Sequence, residues 1–342
     1  MREISIQKNE AGQRMDKFLA KYLNKAPKSF FYKMMRKKNI TLNGKKAVGN
    51  EQLKQGDVIK LFLAEETIEN FIDHSQFSKK KASSARKQTA GKKVQLDILY
   101  EDEAAVFINK PVGMLSQKAS PTDTSLVEYF IDYLLENGKI TEEELHTFHP
   151  SVCNRLDRNT SGIVAAGKTL QALQGLSEMF RDRTLKKYYL CLVKGQVKEN
   201  QRIHGYLVKN EKTNKVTVSQ KKPAEQTKDG KATSAIDTEY KVLARNRETT
   251  LLEVHLITGK THQIRAHLAS IGHPLAGDYK YGNRSFNDAL KKKYGLRSQL
   301  LHAYRLEFPE NCEGDIKQLS GKIIKAPVPA LFEQICKAQG VM

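Results

Sequence analysis

The sequence predicts an α+β protein in two parts: a small basic α/β module, then a larger body built on a sheet. Three observations carry this. Apolar residues recur at a two-residue period in some segments, as at Leu96, Ile98 and Tyr100 or Leu252, Val254 and Leu256, and at a helical period in others, as at Met15, Phe18, Leu19, Tyr22 and Leu23. A polar stretch nearly free of large apolar residues, Lys79 to Lys87, separates the two parts. The net charge is +20 over 342 residues, and residues 1–63 hold 15 Lys/Arg against 5 Asp/Glu, half of the excess in under a fifth of the chain.

In chain order, the apolar residues from Met15 to Leu23 fall at i, i+3, i+4, i+7 and i+8 and predict an amphipathic helix. Pro27 and Ser29 open a second helix, with Phe31, Met34 and Met35 inward and Lys33, Arg36, Lys37 and Lys38 on the other face. Ile40-Thr41-Leu42 runs into Asn43-Gly44, a pair that accepts the positive φ of a hairpin turn. Gly56-Asp57 turns the chain again before Val58, Ile59, Leu61 and Leu63. The module is expected to span residues 1–63, a basic flexible linker residues 64–93, and the body residues 94–342.

In the body, strands are predicted at Leu96–Tyr100 and Ala105–Ile108, the second closing in Asn109-Lys110-Pro111-Val112-Gly113. Leu126, Tyr129, Phe130, Tyr133 and Leu134 give 125–137 a helical pattern, and 138–150 reads as a loop. Ile163 to Ala166 is the apolar run of a buried strand. Thr169 caps a helix with Leu170, Leu173, Leu176 and Phe180 inward, and Lys186 to Lys194 is a strand with a basic start. Residues 196–234 predict a hairpin and a long surface loop, followed by strands at 238–243 and 252–257. Thr261 begins a helix with Ile264, Leu268 and Ile271 in the core, stopped by Gly272-His273-Pro274. Gly277-Asp278 and Tyr281-Gly282 are tight turns, Gln299–Leu306 is a last strand, and a C-terminal helix carries Leu331, Phe332, Ile335 and Cys336 into the core.

The chemistry concentrates between Cys153 and Gly162. One carboxylate, Asp157, sits between Arg155 and Arg158, and a small polar run leads into the buried strand. A carboxylate beside guanidinium groups is favoured in its charged form, and a loop clamped to the head of a core strand is held in aim. The residues alone leave two readings open, a solvated ion-pair loop and a positioned catalytic carboxylate.

Asn154-Arg155-Leu156-Asp157-Arg158-Asn159-Thr160-Ser161-Gly162 resembles the signature of the RluA-type pseudouridine synthases, in which the aspartate at the place of Asp157 is catalytic. That family usually carries His where this chain has Asn154. Lys110-Pro111-Val112-Gly113 is similar to the family's first motif, which makes Lys110 a structural residue or a phosphate contact. Lys187 and Tyr189 match its Lys-X-Tyr, so the resemblance implies that Tyr189 stacks on the target base; strand pattern alone reads a core tyrosine. Thr258-Gly259-Lys260-Thr261-His262-Gln263-Ile264-Arg265-Ala266-His267 is similar to the third motif, where Arg265 matches the arginine that pairs with the catalytic carboxylate.

The resemblance covers about 94 to 309 and implies a mixed, mostly antiparallel central sheet with flanking helices. It also implies isomerisation of uridine in RNA without cofactor or metal: the bond from ribose to ring nitrogen breaks, the uracil turns, and a bond to a ring carbon forms. The first module, two short helices and a hairpin with Asn-Gly-Lys, resembles an S-four-type RNA-binding domain. RNA contacts are then expected from Lys33, Arg36, Lys37 and Lys38, and from Arg155, Arg158, Lys187 and His262. The target base has to leave its stack, in a loop or bulge, because A-form helices hide their base edges. Relatives with this two-domain plan often act on large-subunit ribosomal RNA, the expected substrate; transfer RNA is the rival.

Charge and spacing narrow the alternatives. A sequence pI of 9.6 favours a polyanionic partner. No apolar run approaches the roughly 20 residues that span a bilayer, and Met1–Gln7 lacks a signal-like apolar region. Cys153, Cys191, Cys312 and Cys336 lie far apart. A monomer in a reducing cytoplasm, with no membrane partner, is expected. His262 and His267 do not share a helix face as i, i+4 ligands do, and no acidic residue lies between them, which speaks against a metal-dependent nuclease. A non-enzymatic, ribosome-associated RNA-binding protein is the other alternative; the complete set of Asp157, Tyr189 and Arg265 speaks against it.

Overall fold

The computed structural model describes residues 1–73, 94–142, 144–210, 213, 215–222 and 233–342. The first of these segments contains β1 (Arg2–Ser5), α1 (Met15–Tyr22), α2 (Lys28–Arg36), β2 (Ile40–Leu42), β3 (Lys45–Lys46), β4 (Val58–Leu61) and α3 (Glu65–Asn70). The strands form an antiparallel sheet in the order β1-β4-β2-β3. Its hairpin turns through Asn43 and Gly44, with φ of 50° and 73°, as the Asn-Gly pair demands. Met15, Phe18, Leu19, Phe31 and Met35 are buried under the sheet, while Lys33, Arg36, Lys37 and Lys38 stand exposed on the far side of α2.

One boundary is corrected here. The linker does not begin at residue 64: α3 follows at once, and Ile68 and Ile72 join the buried core of the module. The module also gains β1, whose Arg-Glu-Ile-Ser sequence has a single apolar residue and gives no strand signal by itself. The Lys79–Lys87 stretch lies outside the described residues.

The body contains, in chain order, β5 (Ile98–Glu101), β6 (Ala105–Lys110), α4 (Leu126–Glu136), β7 (Ser151–Val152), β8 (Ser161–Gly167), α5 (Leu170–Asp182), β9 (Lys186–Lys194), β10 (Gln201–Asn210), β11 (Lys215–Ser219), β12 (Thr233–Arg245), β13 (Thr249–Leu256), α6 (Gln263–Ser270), α7 (Arg284–Tyr294), β14 (Leu301–Glu307), β15 (Ile323–Lys325) and α8 (Ala330–Ala338). The sheet runs β11-β10-β12-β13-β9-β14-β8-β6-β5, with β15 beside β14 and β7 beside β8. Every pairing is antiparallel except β14 with β8, so the expected mixed, mostly antiparallel sheet is present.

Helices cover both faces, which is why the central strands read as continuous apolar runs. In β9, Tyr189, Cys191 and Val193 join the core under α4 and α6, while Leu190 and Leu192 pack toward α7 and α8. In β8, Val164 and Ala166 face the first core, and Ile163 and Ala165 face α5. The parallel contact of β8 with β14 is very close. Gly162 sits at φ 110°, and a Cβ there would stand 2.1 Å from the Ala303 carbonyl oxygen, so only glycine fits.

The strand at Leu301 is not the last, because β15 pairs with it. A polar helix, α7, follows the turns at Gly277 and Gly282; Asn283 caps it by accepting from Phe286 N. Leu331 is 37 % exposed and does not join the core with Phe332, Ile335 and Cys336. Module and body meet through polar contacts. Thr147 Oγ1 donates to Glu10 at 2.6 Å, Asn9 Nδ2 donates to Glu144 at 3.2 Å, and Lys8 lies 3.7 Å from Asp315.

Candidate active site

The segment before β8 is pinned at almost every residue. Asn154 mimics a strand partner: its Oδ1 accepts from Ala165 N at 2.8 Å and its Nδ2 donates to the Ile163 carbonyl at 3.2 Å. An amide provides this donor–acceptor pair in one side chain, which gives the Asn at this position its local role. Ser116 Oγ accepts from Leu156 N and donates to Leu156 O, at 3.0 and 2.9 Å. Thr160 N closes a turn on the Asp157 carbonyl at 3.0 Å.

Lys110, at the end of β6, is the deepest of these pins. It is 0 % exposed, and its ammonium donates to the carbonyls of Pro111, Met114 and Arg158 at 3.0, 2.9 and 3.2 Å. Burial pulls its pKa down to about 8. Of the two roles left open for Lys110, the structural one is what this geometry provides, since no face of the ammonium reaches the surface.

Asp157 is thereby aimed at Arg265. The Arg265 Nη1 donates to Asp157 Oδ2 at 2.8 Å across 108 residues of sequence. The partner of the carboxylate is therefore Arg265, not the flanking Arg155 and Arg158, which are exposed. Asp157 keeps a quarter of its side chain accessible, 26 %, and its Oδ1 has no hydrogen bond among the described residues.

Arg265 is itself held from behind. Its Nε donates to Asp278 Oδ2 at 2.7 Å and its Nη2 to Asp278 Oδ1 at 3.0 Å, a bidentate pair. Asp278 is 1 % exposed and also accepts from Lys280 N and Tyr281 N at 2.9 and 3.1 Å. Burial works to raise the Asp278 carboxyl, but Arg265 and the two backbone donors outweigh it and hold it below the usual range. Burial likewise opposes the charge on Arg265, and the two aspartates overcome it and push its pKa up. Sequence reading saw Gly277-Asp278 only as a turn, and no local pattern ties that acid to Arg265.

His262 precedes α6 in a left-handed conformation, φ 55°. Tyr281 OH accepts from Val216 N at 3.0 Å and shares a hydrogen bond with His262 Nδ1 at 2.9 Å, while His262 Nε2 lies 3.8 Å from Asp157 Oδ2. Burial is the main cause that lowers the His262 pKa, which favours a neutral ring. The Tyr281 ring also lies under the Arg265 guanidinium, 5.2 Å from Cζ to centroid. His267, by contrast, turns into the core and meets Thr238 Oγ1 at 2.9 Å, away from His262.

Tyr189 lies in β9, paired with Val254 and Ala303. It is 8 % exposed. Burial first, and then the Asp157 charge, push its phenol pKa up, so the hydroxyl stays protonated. Its burial is that of a core strand tyrosine, placed near enough to Asp157 for the carboxylate charge to act on it. Lys187, named above as an RNA contact, is buried at 7 % exposure.

Comparison with known proteins fits this geometry. Residues 104–270 match the family described as RNA pseudouridylate synthase. The sequence is 33 % identical over 336 residues to a ribosomal large subunit pseudouridine synthase C of Vibrio parahaemolyticus, covering 97 % of this chain and 94 % of that one. It is 31 % identical over 327 residues to the protein of the same name in Salmonella typhi, covering 94 % and 93 %. Among solved structures, human RNA pseudouridylate synthase domain containing 4 superposes with a TM-score of 0.57 at 20 % identity, over 78 % of this chain and 98 % of that chain, a likeness of fold.

Proposed function

The chain belongs to the RluA-type RNA pseudouridine synthases, isomerases that turn uridine in RNA into pseudouridine, and we propose that its substrate is large-subunit ribosomal RNA, with Asp157, Arg265 and Tyr189 as the reacting set. The observation that carries the residue assignment is the 2.8 Å bond from Arg265 to one oxygen of Asp157, with the other oxygen left without a partner among the described residues. One oxygen is held for orientation, and the other is available to the substrate as nucleophile or base. Tyr189 borders the carboxylate and bears a neutral hydroxyl that can hydrogen-bond the uracil edge once the base has left its stack. The names of the relatives support the choice of ribosomal over transfer RNA.

The first module serves as an S-four-type RNA clamp in this reading. Its exposed Lys33, Arg36, Lys37 and Lys38 form a charged face free of core duties, suited to phosphate contact. Arg155 and Arg158 add exposed charge on both sides of Asp157, and His262 stands at the same site. The bound segment is a loop or bulge, the protein works as a monomer, and it acts in the cytoplasm. The test is the purified protein on isolated large-subunit ribosomal RNA and on bulk transfer RNA, with pseudouridines mapped in each. New pseudouridine in transfer RNA alone would overturn the substrate, and none in either would overturn the activity.

A further inference from the structure

Three lysines of the body are nearly fully buried, and they differ in one respect. Lys110 gives its ammonium to three carbonyls, and Lys168 pairs with Glu101 at 2.9 Å. Lys187 is 7 % exposed, yet among the described residues no hydrogen-bond acceptor and no carboxylate meets its ammonium. Its charged neighbour is another cation, Arg183, which is exposed. Its stem is buried while the tip is not fully enclosed, so the ammonium stays open to a ligand and no protein acceptor occupies it.

The position of Lys187 is informative. It lies two residues before Tyr189 in β9, so both side chains leave the same face of the sheet, about 6.6 Å apart along the strand. Its Nζ sits beneath Gly259 in the exposed loop between β13 and α6; a Cβ at Gly259 would stand 3.9 Å from it. That loop continues with the exposed Lys260 and leads to His262 and Arg265. The missing side chain at Gly259 leaves an opening above the ammonium, and the cationic residues Arg183 and Lys260 lie near it in fold and chain.

We propose that Lys187 is an anion subsite of the active centre, which takes a phosphodiester oxygen of the RNA next to the uridine that lies against Tyr189. This rests on the RNA synthase reading above. In the free protein the partly desolvated ammonium meets no protein acceptor, and bound RNA supplies one. Lys187 is therefore a positioning residue: it seats the backbone one step from the base and takes no part in bond exchange at Asp157.

The test uses full-length Lys187→Met. An apolar side chain of similar volume keeps the packing of the buried stem and removes a partly desolvated charge, so the free protein should stay about as stable as the parent. Affinity for large-subunit ribosomal RNA should fall roughly tenfold or more, and the slope of log affinity against log salt should flatten by about 0.7 to 0.9, the share of one phosphate contact. Inorganic phosphate, compared with chloride at equal ionic strength, should raise the melting temperature of the parent more than that of the variant. A variant that melts lower, binds RNA with parental affinity and salt slope, and responds to phosphate as the parent does would make Lys187 structural and overturn the proposal. If the parent forms no pseudouridine in that RNA, the proposed function fails, while the phosphate comparison still decides for or against the subsite.

Discussion

Asp278 grips Arg265 along one edge of the guanidinium, through Nε at 2.7 Å and Nη2 at 3.0 Å, so that Nη1 alone points at Asp157. The fork fixes the plane of the guanidinium, and lysine offers no such plane. Asp278→Asn breaks a buried ion pair from one side and should cost about 3 kcal/mol of stability or more. Where the protein still folds, single-turnover pseudouridine formation should drop roughly a hundredfold, about 2.7 kcal/mol of barrier. Arg265→Lys should fall by a similar factor despite its charge. Parental single-turnover rates in both variants would show that the carboxylate needs no braced arginine.

Asp157→Asn keeps the shape of the side chain and removes its charge. Pseudouridine formation should become undetectable, a loss of several orders of magnitude at about 1.4 kcal/mol for each tenfold. RNA binding should persist, because phosphate contacts dominate affinity. Turnover within about tenfold of the parent, measured alongside an unchanged binding isotherm, returns Asp157 to a structural ion pair.

His302 predicts an acid limit to stability. In β14 its Nδ1 accepts from Ser161 Oγ at 2.9 Å and its Nε2 donates to the Ala326 carbonyl at 3.4 Å, the pattern of a neutral ring. Burial lowers its pKa from 6.5 to about 4. The unfolded chain binds a proton below 6.5 and the native state resists until about 4, so stability declines as pH falls through that window and is complete above it. Each unit of the window is worth about 1.4 kcal/mol. Urea unfolding across this range should show a shallower pH slope for His302→Asn; an identical slope would assign the effect to other histidines.

Removal of residues 1–73, cut after α3 so that the core of the module leaves whole, should spare the fold of the body. On the body side the cut frees Thr147 from Glu10, Glu144 from Asn9 and Asp315 from Lys8, polar groups that water can serve instead. RNA affinity should drop and its salt slope should flatten by several contacts. A truncated protein with the parental slope would strip Lys33, Arg36, Lys37 and Lys38 of their role as a clamp.

Local order was legible and distant order was not. Periodicity located α1, α2, α4, α5 and α6 and most strands of the body, because each buries one face or both. The helix α7 went unread, since its eleven residues are mostly polar and it begins just past two turns. The Asp157 loop and Arg265 stood out as motifs. Their pairing with Asp278, the clamp by Lys110 and the burial of Lys187 depend on which strands become neighbours, and nothing within a window of sequence records that. Asn154, a departure from the usual histidine, acquires a reason only when β8 is seen beside it.

The parallel contact of β8 with β14 has a consequence for biosynthesis. Ser161 and Gly162, the first residues after the Asp157 turn, lean on His302 and Ala303, which lie about 140 positions later in the chain. A ribosome delivers Asp157 and Tyr189 long before that support emerges, and domains fold as units. Until nearly the whole polypeptide has left the exit tunnel, the carboxylate has no floor and Arg265 has only just appeared. The support under the Asp157 turn is therefore among the last parts of the body to be made, and the loop can settle into its final geometry only once β14 is present.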